Sequence, residues 1–76
     1  MKKWSHVTRK GLIMVVEQLK SGAWLGQLSG KEIVETSRGP HLTDTDFVLD
    51  HYPTAESALD AIGYPVDLVG LPAELT

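Results

Sequence analysis

Gly11-Leu12-Ile13-Met14-Val15-Val16-Glu17-Gln18-Leu19-Lys20 is the stretch on which the fold turns, because it reads in two ways. As a strand, Ile13, Val15, Glu17 and Leu19 alternate with Leu12, Met14, Val16 and Gln18. That pattern is apolar on both faces at its start and half-buried at its end, the look of a central strand. As a helix over residues 9–20, the stretch has Thr8 as N-cap, an apolar stripe at Leu12, Val15, Val16 and Leu19, and Gly22 just past its end. Adjacent Val15 and Val16 lose side-chain freedom in a helix, and Gly11 near its start costs about 1 kcal/mol relative to alanine, so the strand is the expected reading. The helical reading would turn residues 17–35 into something like a helix-turn-helix and bring DNA binding forward.

Working outward, Ser21-Gly22 leads into Ala23-Trp24-Leu25-Gly26-Gln27-Leu28, and Ser29-Gly30 leads into Lys31-Glu32-Ile33-Val34-Glu35-Thr36. Ser-Gly breaks supply the positive backbone angles of tight hairpins, and the flanking β-branched and aromatic residues suit strands, so an antiparallel meander is expected. Trp24, Gly26 and Leu28 would share one face, with Trp24 in the core. Residues 37–46 are rich in glycine, proline, threonine and aspartate and read as a loop. Phe47-Val48-Leu49-Asp50-His51-Tyr52 reads as a last strand. A helix over residues 55–62 follows: Thr54 caps it, Glu56 lies at the positive end of its dipole, and Ala55, Ala58, Leu59 and Ile62 form one face. Gly63 takes the left-handed C-terminal position, Tyr64 folds back on Leu59, and Pro65 forbids continuation. The expected fold class is α+β: a three- to four-stranded antiparallel meander with one short helix packed on one face, in the order β-β-β-β-α.

At 76 residues the chain has room for one core. With 42% hydrophobic and 22% charged residues it is neither polar enough for disorder nor apolar enough for a membrane span. There is no cysteine, which excludes disulfides, thiolate zinc sites and cysteine nucleophiles. A single core of this size seldom gives more than about 3 to 5 kcal/mol, so self-association is the natural supplement. The longest apolar run, residues 12–16, is far short of the roughly 20 residues a membrane helix needs, and the expected compartment is the cytoplasm. Lys2, Lys3, Arg9 and Lys10 supply four of the seven basic residues, while all ten acidic residues lie beyond them. The organisation expected is a basic N-terminal arm over residues 1–10, a single α+β domain over 11–65, and an apolar tail over 66–76 that packs on its own domain or on a partner.

Catalytic signatures are sparse. Gly26-Gln27-Leu28-Ser29-Gly30-Lys31-Glu32 is one residue short of a phosphate loop between its glycines and has Glu32 where the magnesium-binding hydroxyl must be. His41, Asp44, Asp46, Asp50 and His51 gather imidazoles and carboxylates, giving a weak candidate for a metal or acid–base site at His41, Asp44, Asp46 and His51. Their spacing matches no established ligand pattern, and acidic residues before a strand are ordinarily solvated turn formers. No cofactor and no enzymatic activity are expected. Lys2, Lys3, Trp4, Arg9 and Lys10 form the candidate interaction group, Trp4 being the aromatic best placed to stack on a base or a partner.

A strand with an aromatic at Trp24, then a strand and a helix opening Pro53-Thr54-Ala55-Glu56-Ser57-Ala58, resembles small bacterial β-β-β-α domains such as the HicB-type antitoxins and the short YegP-like domains. The resemblance spans residues 23–62. The chain departs from the HicB type in lacking a Pro-Gly-Cys turn and a separate DNA-binding segment. What it implies is a bacterial interaction module. The functional expectation is therefore a small non-catalytic accessory or regulatory protein that binds protein through an exposed sheet face or edge, as a homodimer or with another protein. The alternative is a nucleic-acid-binding module using the basic arm and Trp4; no membrane partner is expected.

Overall fold

The computed structural model describes residues 1–44 and 48–76, without the side chains of residues 32, 33 and 42–44. The decisive stretch is a strand. β1 (Lys3–Val7), β2 (Ile13–Gln18), β3 (Trp24–Ser29), β4 (Lys31–Thr36), β5 (Gly39–Asp44) and β6 (Val48–Tyr52) precede helix α1 (Ala55–Ala61), a short helix α2 (Val66–Val69) and a 3-10 turn at Ala73–Leu75. The main sheet is antiparallel with strand order β1-β2-β3-β6, and β4 and β5 form a separate two-stranded hairpin. The fold is thus α+β, with a four-stranded sheet and one helix against it.

Both β-turns of the main meander use one device. Gly11 N–H donates to the Thr8 carbonyl at 3.0 Å and Thr8 N–H to the Leu12 carbonyl at 2.8 Å; Gly22 and Leu19 N–H groups repeat this with Leu19 and Ala23 at 3.0 and 2.8 Å. Gly11 and Gly22 hold φ of 88° and 90°, the left-handed position that closes such three-residue loops.

Three sequence expectations are corrected. Residues 3–7 are not an arm: Trp4 pairs with Val16 and Val7 with Ile13, making this segment the outer strand of the sheet. The lysines masked an alternation in which Trp4 faces inward while Lys3, Ser5 and Val7 face outward. Residues 39–44 are not a loop, since β5 pairs along the whole of β4; Pro40 is tolerated because a two-stranded ribbon leaves each strand one unpaired edge. Ser29-Gly30, finally, is no hairpin turn. Gly30 at φ 112° sends β4 out of the sheet, and β6 takes the place beside β3. Phe47, expected to open the last strand, lies outside the described residues.

α1 forms as its caps dictate. Thr54 Oγ1 accepts from Ser57 N–H at 3.1 Å while Ser57 Oγ accepts from Thr54 N–H at 3.3 Å, a reciprocal capping box. At the other end Gly63 N–H donates to the Asp60 carbonyl and Tyr64 N–H to the Leu59 carbonyl, with Gly63 at φ 90°. This pairing satisfies the last free carbonyls. Between the caps Ala55, Ala58 and Leu59 are buried, and with Val16, Ile62 and Leu75 they make up the core. Burying a side chain such as Leu59 is worth about 1.5 to 3 kcal/mol.

Candidate functional site

Register fixes which side chains share a face of the main sheet. One face carries Trp4, Met14, Val16, Trp24, Gly26, Leu28, Val48 and Tyr52; apart from Gly26, all belong to or pack against the core under α1. Gly26 is the point of closest approach. A Cβ there would lie 2.9 Å from the Tyr52 ring and 3.2 Å from the Ala58 carbonyl oxygen, so only a glycine lets the small-residue face of α1 lie this near the sheet.

The opposite face has no helix. Its cross-strand rows are Lys3, Glu17, Leu25 and His51; Ser5, Val15, Gln27 and Leu49; and Val7, Ile13 and Ser29. Val7, Ile13 and Leu49 are 63%, 43% and 66% exposed, and Val15 and Leu25 are half-buried. The two fixed charges of this face neutralise each other, Lys3 Nζ lying 3.7 Å from Glu17 Oε2. The result is an electrically neutral surface that sets five apolar side chains among six polar ones, on a chain of net charge −3.

The two lateral edges of the sheet are occupied differently. The 3-10 turn at Ala73–Leu75 packs against β1 and sends Leu75 into the core. On β6 the Asp50 carboxylate accepts the His51 N–H at 2.8 Å. Asp50 belongs by register to the helix-covered face, but at the last strand it is exposed and bends round to its neighbour's amide. An edge donor satisfied by its own chain, with a carboxylate alongside, blunts strand-to-strand association.

The residues singled out from the sequence scatter. Lys2 and Lys3 lie at the start of β1, and Arg9 and Lys10 in the turn beyond it, roughly 17 Å away for a five-residue strand. Trp4 does not project. Its ring stacks on His6 at 5.9 Å and meets Tyr64 edge-on at 5.1 Å, half-buried against the core. The five do not form one surface. His41 is exposed on β5 and His51 on β6, in different sheets. Asp44 pairs through its backbone with Lys31, and Asp46 lies outside the described residues. Among the described residues no group of three or more His, Asp or Glu is placed to hold a metal, and none lines a pocket. No helix of the described chain is long and apolar enough to cross a membrane.

The open-face residues Val7, Ile13, Val15, Leu25 and Leu49 carry no motif in the sequence. Their one signal was the doubly apolar character of residues 12–16, which a single helix cannot cover on both sides. Compared with protein families, curated proteins and solved structures, the chain finds no match.

Proposed function

We propose that this chain is a small, non-catalytic accessory or regulatory protein of the bacterial cytoplasm that acts by binding a protein surface through the open face of its main sheet. The observation that carries this reading is the row structure of that face. Val7, Ile13 and Leu49 stand exposed on a rigid four-stranded platform whose two fixed charges cancel. Exposed apolar residues gathered on one rigid surface mark interaction sites, whereas isolated ones need no explanation. The face is favoured over the β6 edge because Asp50 occupies the His51 amide there. The bacterial part of the reading rests on the likeness to β-β-β-α domains.

The test is affinity capture from native extract with three baits: the unaltered chain, a Val7→Lys/Leu49→Lys double variant, and Leu68→Lys, which changes an 87% exposed leucine on α2 well away from the sheet. Circular dichroism first establishes that each bait is folded. Proteins held by the unaltered chain and by Leu68→Lys should be lost from the double variant. Capture that is identical for all three baits would overturn the reading.

A further inference from the structure

Resting on that reading, we infer that the surface covering the open face is a second copy of this chain, the two sheets closing face to face about a two-fold axis. Three features of the molecule converge on this occupant: the size of the core, the charge of the face and its area. Among the described side chains the buried core consists of Val16, Ala55, Ala58, Leu59, Ile62 and Leu75, two of them alanines, which is little for a chain without disulfides. Doubling the apolar layers by stacking two sheets about 10 Å apart is the most direct supplement.

Charge favours a copy of itself over a strongly charged partner. Each chain carries a net charge of −3, yet Lys3 and Glu17 cancel on the open face, so two copies can meet there without stacking like charges. An isologous contact uses the same patch twice, and this patch needs no complementary charge from elsewhere. Area bounds what such a contact can bury. Four strands about five residues deep present roughly 300 Å² of projected face per copy, and with side-chain relief the pair buries on the order of 1,000 Å² of accessible surface. That is the small end of specific interfaces, the size class of weak and transient association.

Sedimentation equilibrium of the purified chain, from about 1 µM to about 1 mM, reads this directly. A monomer–dimer equilibrium is expected. Val7→Lys and Leu49→Lys should each raise the dissociation constant at least about tenfold by carrying an unpaired ammonium into the interface, while Leu68→Lys leaves it unchanged. Isotope-filtered NMR on an equal mixture of labelled and unlabelled chain needs no variant, and should show intermolecular contacts at the Ile13, Val15 and Leu49 methyls. A strict monomer across the whole range overturns the second copy, and leaves the binding reading to stand if capture from extract still depends on Val7 and Leu49. A dimer that survives both face substitutions, or whose intermolecular contacts lie elsewhere, overturns it as well.

Discussion

Val16 and Ile13 share one strand of the main sheet, yet Val16 has no exposed surface and Ile13 keeps 43% of its own. The same contrast repeats on the other strands, Gly26 against Leu25 and Tyr52 against Leu49. Residue type does not explain it, since Val16 and Ile13 are both β-branched aliphatic side chains. What differs is α1, which has caps at both ends and a small-residue surface and can lie on only one side. A sheet with apolar residues on both faces and one short helix has cover for half of them. The covered half makes the fold; the other half is free for a partner. Substitutions should therefore fall into two groups, costly for folding on one face and nearly silent on the other.

The largest effect is expected at Leu59, which is fully buried between α1 and the sheet. Leu59→Ala should cost about 2 to 5 kcal/mol, enough to leave a domain of this size mostly unfolded. Chemical denaturation followed by circular dichroism measures it, and a loss below about 1 kcal/mol would mean that α1 is not what closes the core. Gly26→Ala comes next. The new methyl would press on the Tyr52 ring and on the Ala58 carbonyl, and because the second of these is backbone, α1 must shift as a unit. A cost of about 1 to 3 kcal/mol is expected from such overpacking. A neutral or stabilising result would show that the helix rides less closely on β3.

Thr54→Ala removes one half of the reciprocal cap with Ser57. About 1 kcal/mol should be lost, or a fall of roughly 4 to 8 °C in Tm for a domain of this length. This prediction reaches the comparison at its cause, because weakening the end of α1 should loosen the covered face and leave the open one as it was. Hydrogen exchange would then quicken at Val16 N–H and its neighbours through opening of the helix, and uniform quickening across the chain would deny that α1 acts as a separate unit.

How much of this could be read from residues alone depended on whether a local signal was unopposed. Thr54, Gly63 and Pro65 bracket a seven-residue helix with start and stop signals that nothing contradicts, and α1 spans Ala55–Ala61 between them. The β-branched pair at Val15 and Val16 gave β2 over the competing helix. The segment at Lys3–Val7 was obscured because Lys2, Lys3, Arg9 and Lys10 outweigh one tryptophan and one valine in any local average; its strand character comes from pairing with residues 13–17, a non-local fact. β5 was hidden by Gly39 and Pro40, turn formers that here sit at the tip and the free edge of a ribbon. The candidate surface suffered more. His41 and His51 are close in sequence but belong to different sheets, while Val7, Ile13 and Leu49 are far apart in sequence and share one. A surface assembled by strand order is legible only once that order is known, and here the order skips two strands.

The smallest effect is expected on the open face itself. Glu17→Gln removes one partner of an ion pair whose side chains are 64% and 38% exposed, at a separation of 3.7 Å. Such pairs contribute about 0 to 1 kcal/mol, so the folding stability of the chain should move by less than about 0.5 kcal/mol. The informative readout is association rather than folding. With Glu17 neutral, Lys3 is left as an uncancelled charge on the open face, and two copies meeting there carry two of them into a surface that excludes water. Dissociation should therefore become easier and more sensitive to salt, while thermal unfolding of dilute protein hardly changes. Were unfolding to shift by more than about 1 kcal/mol with association untouched, Glu17 would belong with the groups that hold the fold, and the division between the two faces would not run where register puts it.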